Sequence, residues 1–283
     1  MFFIDEQLQL ICFLQQWRGP IVDWLFRFLN VFDTNYYISS LIAFIWIGCS
    51  WRWGVRLGFL VIASGWVNAM AKLTFALPRP FHIDPTLAIV QLHDYGFPSG
   101  GAQNAMIIGC LIIYLWKSCF AWPVGIFYIL LISFSRVFLG VHFPVDVLGG
   151  WCLGAVIFFA FIQTYRRIGS WATRRPEAAL GICLAIVLAI SCFFHDFKTV
   201  FLMTSLTAMS VGVYFSTRYT LYFDPPRSIG KIFGLGIFGI FSAVCVALIT
   251  WALLPSTTVQ IVASGLWISL AASPFCQKVF GIR

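Results

Sequence analysis

The sequence predicts an all-α polytopic membrane protein, built as a helical core bundle followed by a C-terminal extension of four membrane helices. Of its 283 residues 60% are apolar and only 10% charged, and the mean hydropathy is +0.91, far from the composition of a soluble domain. Apolar runs recur that match the roughly 20 residues needed to cross a bilayer. Runs such as 57–67 and 232–249 do not alternate, so the alternating strands of a closed barrel are excluded.

Residues 1–35 read as an amphipathic interfacial segment. Leucines, phenylalanines and tryptophans mix there with Asp5, Glu6, Arg18, Asp23 and Arg27, and Gly19-Pro20 breaks the pattern into two helices. The acidic start, with no basic stretch before an apolar run, gives no sign of a cleavable signal. Membrane spans are expected at 36–51, 54–77, 103–117, 122–140, 145–165, 177–195, 199–217, 231–250 and 257–277. A basic loop at 166–176 is expected to separate a core over 36–166 from the extension over 177–283.

The net charge of +8 could suggest nucleic acid, but its placement along the chain points to membrane topology instead. Basic residues in short loops mark the cytoplasmic side. Every second loop holds them: Arg52 and Arg56, Lys117, the arginines at 166, 167, 174 and 175, then Arg218, Arg227, Lys231, Lys278 and Arg283. This places residues 80–100 outside, and it predicts an integral protein of a bacterial cytoplasmic membrane whose site faces outward. His195, Asp196 and Lys198 in an outer turn, and Asp224-Pro225-Pro226-Arg227 in an inner one, read as solvated loops. Nine cysteines, an odd number without metal-ligand spacing, read as small buried hydrophobes.

Three outer stretches hold the polar residues that hydropathy does not justify: 72–80, 97–103 and 135–146. Lys72, Arg79 and Arg136 sit at span edges, where charge is expensive, and three converging cations imply an anion among them. Pro98-Ser99-Gly100-Gly101 has the form of a helix start, with Ser99 as cap and backbone N–H groups open to a phosphate. A plain cap for a membrane helix is an equally simple reading of that stretch alone. Pro144 suits a first helical turn, which places His142 just before the helix and Asp146 in its opening turn. An aspartate accepting from one imidazole nitrogen leaves the other free to attack, although an interfacial histidine beside a capping aspartate has the same spacing.

Together these residues resemble the three-part signature of the type-2 phosphatidic acid phosphatases, membrane relatives of vanadium haloperoxidases: K-x6-R-P, P-S-G-H and S-R-x5-H-x3-D. The first and third parts match at every defining position, over a region of about residues 20–165. The resemblance implies that Lys72, Arg79 and Arg136, with the Ser99 hydroxyl and the Gly100 amide, hold phosphoryl oxygens. It also implies that His142 attacks phosphorus and that Asp146 orients it, with no metal or other cofactor. Where the family carries the histidine that protonates the leaving oxygen, this sequence has Gly101. His82 and His93 lie in the same outer loop, and Gln103 can offer a hydrogen bond but no useful proton.

The implied activity is that of a lipid phosphatase or phosphotransferase, acting preferentially on lipid diphosphates because a phosphate leaving group needs less acid help. Its partners are a membrane lipid substrate and the bilayer, with no nucleic acid. The alternative is a phospholipid- or phosphate-binding membrane protein that has lost turnover, and a membrane scaffold is a third reading.

Overall fold

The structure, a computed structural model, describes residues 4–222, 228–254 and 256–280. The expected inner turn at Asp224-Pro225-Pro226-Arg227 and the terminal Arg283 lie outside the described residues. Among the described residues the regular elements are helices: α1 (Ile4–Gln15), α2 (Pro20–Asn30), α3 (Asn35–Phe44), α4 (Trp51–Phe75), α5 (Pro80–Ile83), α6 (Gly100–Leu115), α7 (Ala121–Phe138), α8 (Pro144–Arg174), α9 (Pro176–Phe193), α10 (Phe197–Arg218), α11 (Ile229–Leu253), α12 (Thr257–Leu266) and α13 (Ala272–Phe280).

It is an all-α polytopic membrane protein. Among the described residues seven helices are long and apolar enough to cross a bilayer, and the helices at Asn35–Cys49 and Gly100–Leu115 are apolar but shorter. All nine expected spans are therefore helical. Proline at the first helical position and aspartate at the cap set several boundaries: Pro20 opens α2 and Pro176 opens α9, while Asp196 accepts from Thr199 N (3.0 Å) ahead of α10.

Two sequence expectations need correction. The basic stretch expected as a loop at 166–176 is helical to Arg174, so that only Arg175 separates α8 from α9. Arginine is a good helix former, and the break comes from Pro176, which disfavours helical backbone at the residue before it. All nine cysteines are free, but only Cys276 is buried; Cys12, Cys49, Cys119, Cys152 and Cys192 are exposed. On membrane helices an exposed face meets lipid, so apolar letters do not imply burial in protein.

The helices group into two compact units. The first comprises residues 4–37 with Val67–Gln163, and the second Ile38–Trp66 with the described part of Thr164–Arg283. Residues 38–66, expected with the core, thus pack with the later half of the chain, where Trp46, Ile47 and Ile62 share a cluster with Leu202, Met203, Leu206, Met209 and Leu235.

The first unit holds the site. Its interior joins α1 to the later helices through Ile11, Leu87, Ala102, Val137, Phe143 and Val147. Gln15 fastens α1 by donating to Leu87 O (3.0 Å) and Phe138 O (2.8 Å). Trp151 of α8 donates its indole N–H to Ser133 Oγ of α7 at 2.7 Å, which satisfies both polar groups inside an apolar bundle.

Candidate active site

The three polar stretches converge in the first unit. Lys72 lies in the last turn of α4, which stops at Ala76 in a left-handed conformation (φ 48°). Arg79 precedes Pro80 and caps α5, and its backbone N–H donates to His82 Nδ1 at 3.1 Å. Ser99 caps α6, its Oγ accepting from Ala102 N at 3.4 Å, as the sequence predicts. Ser99 N donates to Asp146 O at 2.9 Å, tying the start of α6 to the start of α8. A Cβ on Gly150 would stand 2.5 Å from Ser99 O, so glycine permits this approach.

Arg136, at the end of α7, has no exposed surface, and Arg79, Lys72, His142 and Asp146 are all nearly or fully buried. His142 follows a turn in which Gly140 adopts φ 70°. Its Nδ1 lies 3.4 Å from Asp146 Oδ2, and that same oxygen accepts from Phe143 N at 2.9 Å. On the other side, Nε2 faces Arg79 Nη1 at 3.2 Å. A guanidinium can only donate. His142 Nε2 must then offer its lone pair, which leaves the proton on Nδ1, facing the aspartate.

Burial holds the His142 pKa well below its ordinary 6.5, and the positive charges of Arg79, Lys72 and Arg136 push in the same direction. The imidazole is therefore neutral at physiological pH.

The cations are not left to repel one another. Arg79 is anchored to Val141 O through Nη1 (2.7 Å) and to Asp94 O through Nε (2.7 Å), and its Nη2 pairs with the Asp94 carboxylate. Lys72 Nζ donates to the other oxygen of Asp94 (2.7 Å) and to Tyr95 O (2.6 Å). Arg136 donates through Nη1 to Asn30 Oδ1 (2.7 Å) and Asp33 Oδ2 (3.0 Å), and through Nε and Nη2 to Ser135 Oγ. Two carboxylates thus balance three cations, and neither belongs to the expected constellation. Charge balance was the signal for both: buried cations need anions, and the chain has only ten acidic residues.

Residues 53–170 match the family model of the PAP2 superfamily. They belong to that superfamily. Over 114 residues the chain is 34% identical to an undecaprenyl-diphosphatase of Sulfolobus acidocaldarius, covering 39% of this chain and 54% of that protein. Over 108 residues it is 36% identical to an undecaprenyl-diphosphatase of Bacillus subtilis (38% and 54%). With a dihydrosphingosine 1-phosphate phosphatase of Saccharomyces cerevisiae the identity is 29% over 178 residues (56% and 42%). The chain spans about half the length of these relatives.

Within the PAP2 segment, the position of Gly101 is occupied from elsewhere. A Cβ built there would stand 2.8 Å from the carboxylate of Asp33. Gln103 accepts from Asn68 Nδ2 through Oε1 at 2.9 Å, and His82 is engaged by the Arg79 backbone.

Proposed function

We propose that this protein hydrolyses or transfers the terminal phosphate of a membrane lipid, preferring a lipid diphosphate, through a phosphohistidine on His142. One observation carries the reading. A buried, neutral imidazole turns its lone pair to Arg79, within the field of Lys72 and Arg136, and its N–H to a buried carboxylate.

In this mechanism Lys72, Arg79 and Arg136 hold the phosphoryl oxygens, with the Ser99 hydroxyl and the Gly100 N–H at the start of α6. His142 Nε2 attacks phosphorus, an N–P bond forms, and the P–O bond to the lipid breaks. Asp146 stabilises the positive charge that develops on the ring. Water, or an acceptor hydroxyl, then takes the phosphoryl group from the histidine. Fixed cations act on the charge of the transferring group without reorganising at the moment of reaction.

The two undecaprenyl-diphosphatase relatives support a diphosphate substrate, and the dihydrosphingosine 1-phosphate phosphatase relative supports a monoester as a second one. A binding protein without turnover needs the cations but has no use for the His142–Asp146 pair. The test is phosphate release from a polyprenyl diphosphate and from phosphatidic acid by purified protein, alongside His142→Ala. The expected result is faster release from the diphosphate and loss of at least about 1,000-fold in the variant. Normal turnover by a folded His142→Ala protein would remove the mechanism.

A further inference from the structure

Asp33 is a carboxylate of the site to which the mechanism above gives no chemical task. It ends the single turn Val31–Asp33 that follows α2, and that turn packs against the start of α6. Its carboxylate lies against Gly101, close enough that any side chain at 101 would displace it. It also pairs with Arg136, a cation whose charge acts on His142. About one fifth of its side chain is exposed.

We propose that Asp33 donates the proton to the leaving oxygen, an inference that rests on the phosphohistidine reading. In the resting site Asp33 is held by Arg136 at 3.0 Å. A bound phosphoryl group competes for Arg136 and sets negative oxygens beside the carboxylate. Like charges this close disfavour two anions, so the bound substrate's own acidic oxygen passes its proton to the carboxyl. Arg136 of α7 donates to Asp33 through the same nitrogen that donates to Asn30 of α2, and Tyr128 of α7 feels its charge and is hydrogen-bonded to Tyr37 of α3.

As the N–P bond forms and P–O breaks, the carboxyl gives its proton to the departing lipid oxygen and returns to the carboxylate. In the second half it takes a proton from the water that attacks phosphorus. The N–P electron pair returns to Nε2, and phosphate leaves with the proton that the carboxyl holds, which restores the carboxylate. The net change is one water consumed, with lipid alcohol and phosphate released. An alkoxide leaving group depends on this proton, whereas a lipid monophosphate departs as a stable anion. Asp33 therefore sets how far the protein accepts monoesters beside diphosphates.

The test compares Asp33→Asn, which keeps the oxygen that accepts from Arg136, with the native protein on phosphatidic acid and on polyprenyl diphosphate. General acid catalysis is worth about 100- to 10,000-fold. The expected loss in kcat is at least about 100-fold on the monoester and under about 10-fold on the diphosphate, with KM little changed. Because both substrates are read on one preparation, the ratio is independent of the fraction folded. Asp33→Ala combined with Gly101→His should recover monoester turnover relative to Asp33→Ala alone, the imidazole taking the cleared space.

Equal losses on both substrates, or a loss confined to KM, would mean that Asp33 only holds Arg136, and the proposal falls while the His142 mechanism stands. No turnover by the native protein on either lipid removes both.

Discussion

At the scale of single residues, His142 combines burial with proximity to three cations, and this has a consequence for stability. Above the ordinary histidine pKa of about 6.5 the side chain is neutral in the folded and unfolded chain alike, and stability does not depend on its titration. Below it the unfolded chain binds a proton that the folded site refuses, because the folded pKa is held well below 6.5. Stability therefore falls as the pH drops from about 6.5 toward that lower value. His142→Gln should lose less in Tm between pH 7.5 and 5 than the native protein does. A native Tm that held steady over this range would contradict the neutral assignment. Asp94 supplies a second prediction. Its carboxylate bridges Lys72 and Arg79, so a phosphate must compete with it for those donors. Asp94→Asn should let inorganic phosphate inhibit at several-fold lower concentration, with a lower Tm because two buried cations lose their counter-charge. The motif residues were legible from spacing alone. Asp33 and Asp94 were not, because their partners lie 103 and 15 to 22 positions away in sequence, with no periodic relation to them.

At the scale of elements, the site depends on where helices begin. Pro144 opens α8 and carries Asp146 in its first turn, while Ser99 opens α6; the Ser99 N–H to Asp146 carbonyl bond locks the two starts together. These starts were readable, since proline and serine act on backbone within a few residues. The turn between Arg136 and His142 requires Gly140, with φ 70° and a carbonyl, Leu87 O, standing 2.1 Å from where a Cβ would be. Gly140→Ala should destabilise by on the order of 1–3 kcal/mol and lower turnover, as Val141 and His142 shift together. Thermal unfolding and phosphate release would check this, and an unchanged Tm would show that the turn tolerates a side chain. The length of α8 was misjudged from sequence. At 31 residues it extends about 46 Å, beyond a hydrocarbon core of about 30 Å, so its last turns, with the basic residues, continue as helix outside the apolar layer.

At the scale of the whole molecule, the basic loops predict a topology that can be measured. In a cysteine-free background, Thr86→Cys should react with an impermeant reagent applied from outside, and Ser170→Cys should not. Both positions are exposed in the structure, so accessibility in the protein does not limit labelling. Labelling of residue 170 from outside would reverse the orientation and place the site on the cytoplasmic face. The sequence by itself determined the membrane class, the helical content and the three polar stretches that meet in the first unit. Hydropathy, helix caps and motif spacing are local properties that survive without knowledge of neighbours. Tertiary structure alone decided which carboxylates balance the cations, which ring nitrogen of His142 keeps its lone pair, and that Asp33 fills the space beside Gly101. It also decided that residues 38–66 pack with the later helices. Those outcomes depend on side chains far apart in the chain meeting in a buried, low-dielectric interior, where an unbalanced charge or an unfilled space costs far more than it does in water.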